Sequence, residues 1–288
     1  MRRRRFPLVW LALLVSILAA CTKQEAAKPA AEVVAVHRAT LPADPADAAW
    51  DGAPPFLVPL IPQDMVEPRL LERSTAEVRV RAMTDGTRLA FRLEWVDPTK
   101  DDLPGAARFS DGCAVQLPAK IQPDVPAPQM GEAGREVQIS YWRAAWQAVV
   151  DGRKDSIREL YPRAAIDHYP FEAPALEAGS VDQQEMAKRY APARALGNRM
   201  AGPRLRPVED LVAEGPGTIH AAAETISEGK GKRADQGWTV VVSRPLPAGL
   251  TPGSRSQVAF AVWQGAHSEA GAKKMRSGWV SMLVEGRS

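Results

Sequence analysis

The stretch AEVRVRAMTDGTRLAFRLEWV, residues 76–96, decides the fold, because apolar and polar residues alternate along both of its halves. The first half places Val78 and Val80 on one face. The second half places four apolar side chains on one face, namely Leu89, Phe91, Leu93 and Trp95. Asp85-Gly86 between the halves is typical of a tight turn. The stretch therefore predicts a β-hairpin with one buried side.

Similar alternation recurs in five other places and predicts further strands. These are residues Ala114–Leu117, Val137–Trp142, Trp238–Val242, Val258–Trp263 and Trp279–Val284. Helical periodicity is weak, and only Ala144–Val150 and Gln183–Tyr190 are candidates. The 25 prolines are spread along the chain, and most of the eight tryptophans lie in or beside predicted strands. Because prolines interrupt regular elements and large aromatics fill cores, the pattern predicts an antiparallel β-sandwich with irregular loops.

The N-terminus is typical of a bacterial lipoprotein. Residues 1–20 combine four arginines at positions 2–5, an uncharged apolar run from Phe6 to Ala20, and the ending Leu-Ala-Ala before Cys21. This pattern predicts a secretory signal peptide that is cut before Cys21, whose thiol is then acylated. The alternative is a transmembrane anchor that stays in place, but the apolar run of 15 residues is shorter than the ~20 that span hydrocarbon.

Residues 21–31 are predicted to be a lipidated polar tether, so the chain is expected to be exported and anchored to a bacterial membrane, facing the periplasm. Loss of residues 1–20 removes four arginines and no acidic residue, which changes the formal net charge from +3 to −1. The basic balance therefore does not indicate nucleic-acid binding. Residues 32–288 are enough for one large β-rich domain or two small ones, and the lack of a second linker favours one domain.

Residue types that perform catalysis do not occur in known patterns. The four histidines show no metal-binding spacing, and there is no nucleophile elbow or phosphate-binding glycine loop. Besides Cys21 the chain has only Cys113, which is expected to be a small buried side chain. The acid pairs Asp101-Asp102 and Glu209-Asp210 are expected to be solvated loop residues. The sequence therefore predicts no self-sufficient enzyme.

Two loops contain possible metal ligands. Met130 lies in the Pro/Gly-rich segment 128–132 before a predicted strand, where a core methionine is not expected. Lys273 and Lys274 lie in the long polar connection 265–277 between two predicted strands. Taken alone, these are ordinary loop and surface side chains.

Several motifs, in their order and spacing, resemble one family. In chain order they are Ala49-Trp50-Asp51 as an opening strand, FSDGCAVQLP at 109–118, Gln129-Met130-Gly131, Tyr141–Ala144, Tyr190 with Gly197-Asn198, Gly215–Thr218, GWTVVVSRPL at 237–246, FAVWQG at 260–265, and Lys274 with Ser277 and Trp279. Together they resemble the haem b-binding γ subunits of the ethylbenzene dehydrogenase and dimethylsulfide dehydrogenase type, to which chlorate and selenate reductase γ subunits are related.

The resemblance implies an immunoglobulin-like β-sandwich, similar to some carbohydrate-binding modules, that binds haem b without a covalent link. It implies Met130 and Lys274 as the two axial iron ligands, with Lys273 as the fallback because the lysines are adjacent. Ligands at both axial positions leave no open site for substrate, so the implied role is electron transfer. Arg143 and Arg244 are candidate partners of the haem propionates by chemistry alone, since guanidinium groups suit carboxylates.

The resemblance also implies partners. The chain is expected to be the γ-type subunit or partner of a periplasmic molybdopterin/iron–sulfur oxidoreductase and to exchange electrons with a carrier such as a c-type cytochrome. Two alternatives stay open because fold alone does not decide function. One is a β-sandwich lipoprotein that binds a carbohydrate or small ligand without haem, and the other is a structural lipoprotein with no ligand.

Overall fold

The computed structural model of the protein describes residues 31–103, 105–154, 161–163, 179–190, 192–196, 198, 204–234 and 236–286. The predicted signal peptide 1–20, Cys21 and all of the predicted tether except residue 31 lie outside the described residues, as does Gly197. None of the helices in the described ranges has both the length and the apolar character required to span a bilayer.

The described residues form fourteen strands and few helices. The strands are β1 Val33–His37, β2 Phe56–Pro59, β3 Ile61–Pro62, β4 Glu77–Thr84, β5 Arg88–Val96, β6 Gly112–Pro118, β7 Val137–Arg143, β8 Val208–Ala213, β9 His220–Ala221, β10 Glu228–Ala234, β11 Gly237–Pro245, β12 Arg255–Trp263, β13 Met275–Arg276 and β14 Val280–Val284. The α-helices are α1 Ala144–Val150, α2 Val181–Tyr190 and α3 Pro192–Ala195, and short 3-10 helices occupy Ala48–Gly52 and Gly265–His267.

The first sheet has the strand order β10-β11-β5-β4-β1-β14, with β2 beside β4. Its centre is the predicted hairpin, in which β4 and β5 pair antiparallel. The Asp85 carboxylate closes the turn by accepting hydrogen bonds from the backbone N–H groups of Thr87 and Arg88, each 2.7 Å. Gly86 has a φ of +90°, a conformation that favours glycine. Strand β1 pairs in parallel with β4 and β14. The sandwich is therefore mixed, whereas the sequence predicts a wholly antiparallel one.

The second sheet has the order β12-β6-β7-β8-β9 and is antiparallel, with β13 and β3 beyond β12. Strand β12 belongs to both sheets, because residues 255–258 pair with β14 and residues 259–263 pair with β6. One long strand thus joins the two layers.

Apolar side chains from the facing sides of the two sheets form the main core. The ring centroid of Trp142 on β7 lies 5.1 Å from that of Trp238 on β11 and 6.3 Å from that of Trp95 on β5. Phe91 of β5 meets Phe260 of β12 with 6.1 Å between centroids. These contacts join the two layers face to face, so the predicted β-sandwich is confirmed.

Polar residues on the strands differ in part from expectation. Cys113 on β6 is fully buried, as predicted, and burial raises the pKa of its thiol. The prediction of solvated loop positions for Glu209 and Asp210 is wrong, because both lie on β8 and are only 7% and 6% exposed. Glu209 pairs with Arg204 at 3.3 Å, and Asp210 accepts a hydrogen bond from Ser140 at 2.8 Å. These partners offset the cost of burying the two acids.

The N-terminal segment covers the outer face of the first sheet. Residues Ala49–Asp51, predicted as an opening strand, instead belong to the 3-10 helix Ala48–Gly52. The Asp47 carboxylate caps this helix by accepting a hydrogen bond from the Ala49 backbone at 2.8 Å. Such local bonds compete with strand pairing. Trp50 is fully buried against Met83 on the sheet.

Both predicted helices are present. Helix α1 has the predicted bounds Ala144–Val150 and follows β7 without a loop. Helix α2 contains the predicted residues and begins two residues earlier, at Val181. Gln147 of α1 accepts a hydrogen bond from the Trp142 indole at 3.1 Å, which ties the helix to the core.

Candidate functional site

A cavity of about 670 Å³ lies on the outer face of the second sheet. Its floor consists of small side chains, with Ala114 on β6 and Ala259 and Ala261 on β12. Ala114 and Ala261 are register partners, so this part of the sheet surface is flat. Ile139 and Leu211 add apolar walls from β7 and β8. Pockets of roughly 300–1,000 Å³ with apolar linings typically bind small molecules and cofactors.

Met130 enters this cavity from the loop between β6 and β7. Its φ of +70° lies in the left-handed region that residues other than glycine rarely adopt. Gly131 follows with a φ of +82°, and a Cβ there would lie 2.8 Å from the Arg135 carbonyl oxygen and 2.9 Å from that of Ala213. The Met130 carbonyl accepts a hydrogen bond from the Gly215 N–H at 2.8 Å. Backbone strain that the surroundings maintain is typical of ligand sites.

Lys274 reaches the same cavity from the connection between β12 and β13. Its backbone carbonyl accepts a hydrogen bond from the Gln63 N–H at 2.9 Å, and the Gln63 side-chain amide donates to the Ala272 carbonyl at 3.1 Å. Lys273 instead lines a separate cleft of about 280 Å³. The structure therefore brings Lys274, rather than Lys273, together with Met130.

The two side chains meet inside the cavity, where the Nζ atom of Lys274 lies 3.8 Å from the Sδ atom of Met130. Bonds from zinc to sulfur and nitrogen ligands are about 2.3 and 2.0 Å long. These two bond lengths add to about 4.3 Å, so a single metal ion could bond both atoms at their observed separation of 3.8 Å. The pair therefore fits a metal centre held from two sides.

Burial makes the neutral amine of Lys274 easier to form than that of an exposed lysine. Burial lowers its pKa from 10.5 to about 8, and the nearby positive charge of Arg276 adds to this shift. At pH 7 the loss of the proton costs about 5 kcal/mol at the ordinary pKa but about 1 kcal/mol at a pKa of 8. The Met130 thioether has no proton to lose, and both groups suit transition metals. The donor chemistry thus fits haem iron.

The two arginines predicted as propionate partners lie in different places. Arg143 lines the cavity, with its guanidinium carbon 5.3 Å from the Trp146 ring centroid. Arg244 does not line the cavity and points from β11 into the space between the sheets. There it donates hydrogen bonds to Ser140 at 3.3 Å and to Gln138, and burial lowers its pKa to about 10. The assignment of Arg244 to this site is therefore wrong.

Four other cavity residues are not among the predicted site residues. Tyr141, Trp263, Gln63 and Arg276 all line it. Tyr141 alternates with Trp142 along β7, so the period-two pattern that predicts Trp142 in the core also predicts Tyr141 on the opposite face. Gln63 and Arg276 lie in or beside two-residue strands, which are too short to show any period.

Among the residues that the structure describes, no group of three or more His, Cys, Asp or Glu side chains is arranged to hold a metal ion.

Two proteins of known family are similar in sequence to this chain. A dimethylsulfide dehydrogenase γ subunit of Rhodovulum sulfidophilum is 33% identical over 107 residues, which is 35% of this chain and 40% of that protein. A protein assigned as a respiratory nitrate reductase heme subunit, ORF7 of Haloferax mediterranei, is 26% identical over 280 residues, covering 94% of this chain and 79% of that protein.

Solved structures with a similar fold include a family 9 carbohydrate-binding module from Caldicellulosiruptor kristjanssonii in complex with cellotriose. That similarity covers 89% of this chain and 94% of the module, at 10% identity and a TM-score of 0.43. So low a score carries no conclusion about ligands.

The sequence profile of the ethylbenzene dehydrogenase family matches residues 47–275, a span that includes Met130 and Lys274. This match covers well over half of the 288 residues. The chain therefore belongs to the ethylbenzene dehydrogenase family, and the resemblance drawn from its motifs is confirmed.

Proposed function

We propose that this protein is a haem b electron-transfer protein, the γ-type subunit or partner of a periplasmic molybdenum/iron–sulfur oxidoreductase. One observation carries the proposal: Met130 and Lys274 come from separate loops and meet within 3.8 Å in a cavity with a flat apolar floor. Membership of the family and the names of the relatives, a heme subunit and a γ subunit, support it.

In this proposal Met130 and Lys274 would hold the haem iron. Haem, when bound, supplies a one-electron redox centre. With Met130 and Lys274 both bound to the iron, no coordination position would be left for a substrate. The site therefore fits an electron carrier without catalysis of its own.

The remaining cavity residues serve binding. The floor of Ala114, Ala259 and Ala261 allows a flat apolar ring to contact the sheet closely, while Ile139 and Leu211 keep water away from it. Arg143 offers a positive charge to an acidic group of the ligand.

We also propose that a lipid on Cys21 holds the domain at a membrane surface facing the periplasm, where the oxidoreductase and a c-type cytochrome exchange electrons with it. The basic start, the apolar run and the Leu-Ala-Ala-Cys sequence that ends at residue 21 support this.

The visible spectrum of the full chain purified from membranes tests the haem proposal. A low-spin b-type spectrum is expected, and Met130→Ala and Lys274→Ala are each expected to abolish its low-spin form by removing one ligand. Met186→Ala and Lys273→Ala are matched controls, because neither Met186 on α2 nor Lys273 lines the cavity. Both controls are expected to keep the spectrum.

Unchanged spectra in the Met130 and Lys274 variants would overturn the ligand assignment. A colourless protein that cannot be loaded with haem would overturn the function itself. If such a protein gained thermal stability with a glycan, the carbohydrate-binding alternative would be supported instead.

A further inference from the structure

Strand β7 presents every second residue to the cavity, and two of these residues are polar. Tyr141 and Arg143 both line the cavity, on the same face as Ile139. Successive residues on one face of a strand are neighbours, about 6.8 Å apart along it. The two polar groups therefore lie at one end of an otherwise apolar wall.

The Tyr141 ring is held firmly, but its hydroxyl group is unpaired. Its centroid lies 4.9 Å from that of Trp263 and 5.5 Å from that of Trp146. The ring lies over Gly112, where an added Cβ would be 3.2 Å from the Tyr141 Cε2 atom and 3.5 Å from its hydroxyl oxygen. The hydroxyl makes no hydrogen bond to any residue in the described part of the chain. Burial raises its pKa to about 12, so it stays a donor at neutral pH.

Arg143 lies beside this hydroxyl group. Gly112, which the Tyr141 hydroxyl overlies, is the register partner of Arg143, and residues paired in this way have Cα atoms about 4.5–5.5 Å apart. The Nε atom of Arg143 is buried and has no hydrogen-bond partner in the described ranges. A buried N–H group without an acceptor is costly, so a ligand that supplies an acceptor at this atom is favoured.

The acidic residues nearby are already paired. Glu209, the register partner of Tyr141 on β8, lies 3.3 Å from Arg204. Glu67, which lines the cavity, lies 2.8 Å from Arg69. No carboxylate in the described residues forms an ion pair with Arg143, so its positive charge is open to an acidic group of a ligand.

From this arrangement we propose that Tyr141 and Arg143 form a carboxylate-binding subsite and that the acid side chains of the ligand point to this end of the cavity. The inference rests on the proposed function, since haem is a flat apolar ring with two propionates on one edge. A phenol O–H and a guanidinium both donate strong hydrogen bonds to a carboxylate. Arg276 on β13 lines the other edge of the cavity. A ligand bound in the reverse orientation would point its acid side chains toward Arg276 instead.

The test compares two ligands on the full chain freed of haem, namely iron protoporphyrin IX and its dimethyl ester, which lacks the acid groups. The wild-type chain is expected to bind the acid form at least about tenfold more tightly than the ester. Tyr141→Phe keeps the ring contacts and is expected to reduce this preference about tenfold, and Arg143→Gln is expected to reduce it at least as much. Tyr161→Phe and Arg276→Gln are controls that are expected to keep the preference.

The outcomes separate this inference from the function on which it rests. A preference that is unchanged in Tyr141→Phe and Arg143→Gln, or that is lost only in Arg276→Gln, overturns the subsite while haem binding stands. Equal affinity of the wild-type chain for acid and ester also overturns it. If the wild-type chain binds neither porphyrin, the proposed function fails and the subsite fails with it.

Discussion

Gln63 organises the lysine side of the cavity through several hydrogen bonds. Its side-chain amide donates to the carbonyls of Val66 and Ala272, and its side-chain oxygen accepts from the N–H groups of Met65 and Val66. Its backbone N–H also bonds the Lys274 carbonyl at 2.9 Å. A buried side chain with all its polar atoms satisfied fixes the loops around it. The position of the Lys274 amine therefore depends on Gln63, although the Gln63 side chain contacts neither the Lys274 amine nor the Met130 sulfur.

Gln63→Leu is expected to destabilise the chain and to loosen the lysine side of the site. The change leaves the Met65 and Val66 N–H groups and two carbonyls without their partner, and each buried unsatisfied group costs about 1–3 kcal/mol. We expect the free energy of unfolding in urea to fall by about 2–4 kcal/mol. Gln122→Leu, at an exposed position, is the matched control. Equal urea midpoints for Gln63→Leu and the wild-type chain would show that these bonds contribute nothing.

Strands with one apolar face and one polar face are predictable from the sequence, whereas strands without this difference are not. Alternation predicts β5 with its observed bounds because that strand is buried against the core on one side. Strand β10, with the sequence EGKGKRA, carries no apolar alternation and was not predicted. Its inward positions include Gly229 and Gly231, which leave room for Trp142. A strand whose inner face is filled by another strand's side chain gives no periodic signal of its own.

The sequence likewise predicts some residues of the candidate site and not others. The resemblance to a family indicates Met130 and Lys274, because their loops carry motifs, but no local pattern brings those loops together. Chemistry alone suggests Arg244 for the site, but the alternation along β11 places its side chain on the core face of the strand. Trp238, Val240 and Val242 face the core, so a residue two positions further along the strand faces it as well.

Gly231→Ala tests the fit between β10 and β7. An added Cβ would lie 2.1 Å from the Cζ2 atom and 2.7 Å from the Cε2 atom of Trp142, so the indole must move. That ring packs on Trp238, and overpacking of a core costs about 1–3 kcal/mol. We expect a loss of unfolding free energy in this range, measured by urea unfolding, with reduced near-UV circular dichroism from the tryptophans.

Gly278→Ala is the control for this substitution, because Gly278 is exposed and an added Cβ meets no atom within 4 Å. It is expected to leave stability unchanged or slightly raised, since alanine restricts the unfolded chain more than glycine does. If Gly231→Ala were as stable as Gly278→Ala, the contact between β10 and Trp142 would not limit the packing of the two sheets.

At the scale of the whole molecule, the second sheet serves two purposes at once. Along β12, Phe260 and Val262 face the core between the sheets, whereas Ala259 and Ala261 form the cavity floor.

Asp111, which precedes β6, connects the two sheets at one end of the sandwich. Its carboxylate accepts hydrogen bonds from the N–H groups of Asp101 and Gly265 and from the Trp238 indole. This residue therefore links both sheets and the segment that leads to Lys274.

The burial of Asp111 makes stability depend on pH. Burial raises its pKa from 3.8 to about 7, the charge of Asp97 adds to the shift, and the three donors oppose it. Between about pH 4 and 7 the folded chain keeps a proton that the unfolded chain has released, so this contribution is complete below about pH 4 and is lost as the pH rises through 7. The loss approaches about 1.4 kcal/mol per pH unit. Glu269, whose pKa burial also raises, acts in the same direction.

Asp111→Asn removes this proton and is expected to flatten the pH dependence. Measured by urea unfolding of the haem-free chain, the wild-type free energy of unfolding is expected to fall by roughly 2 kcal/mol relative to Asp111→Asn between pH 5 and 7. Asp124→Asn, on the exposed part of the 119–136 loop, is expected to run parallel to the wild-type chain. If Asp111→Asn also ran parallel, the Asp111 carboxylate would already be ionised at pH 5, because its three N–H donors would outweigh its burial.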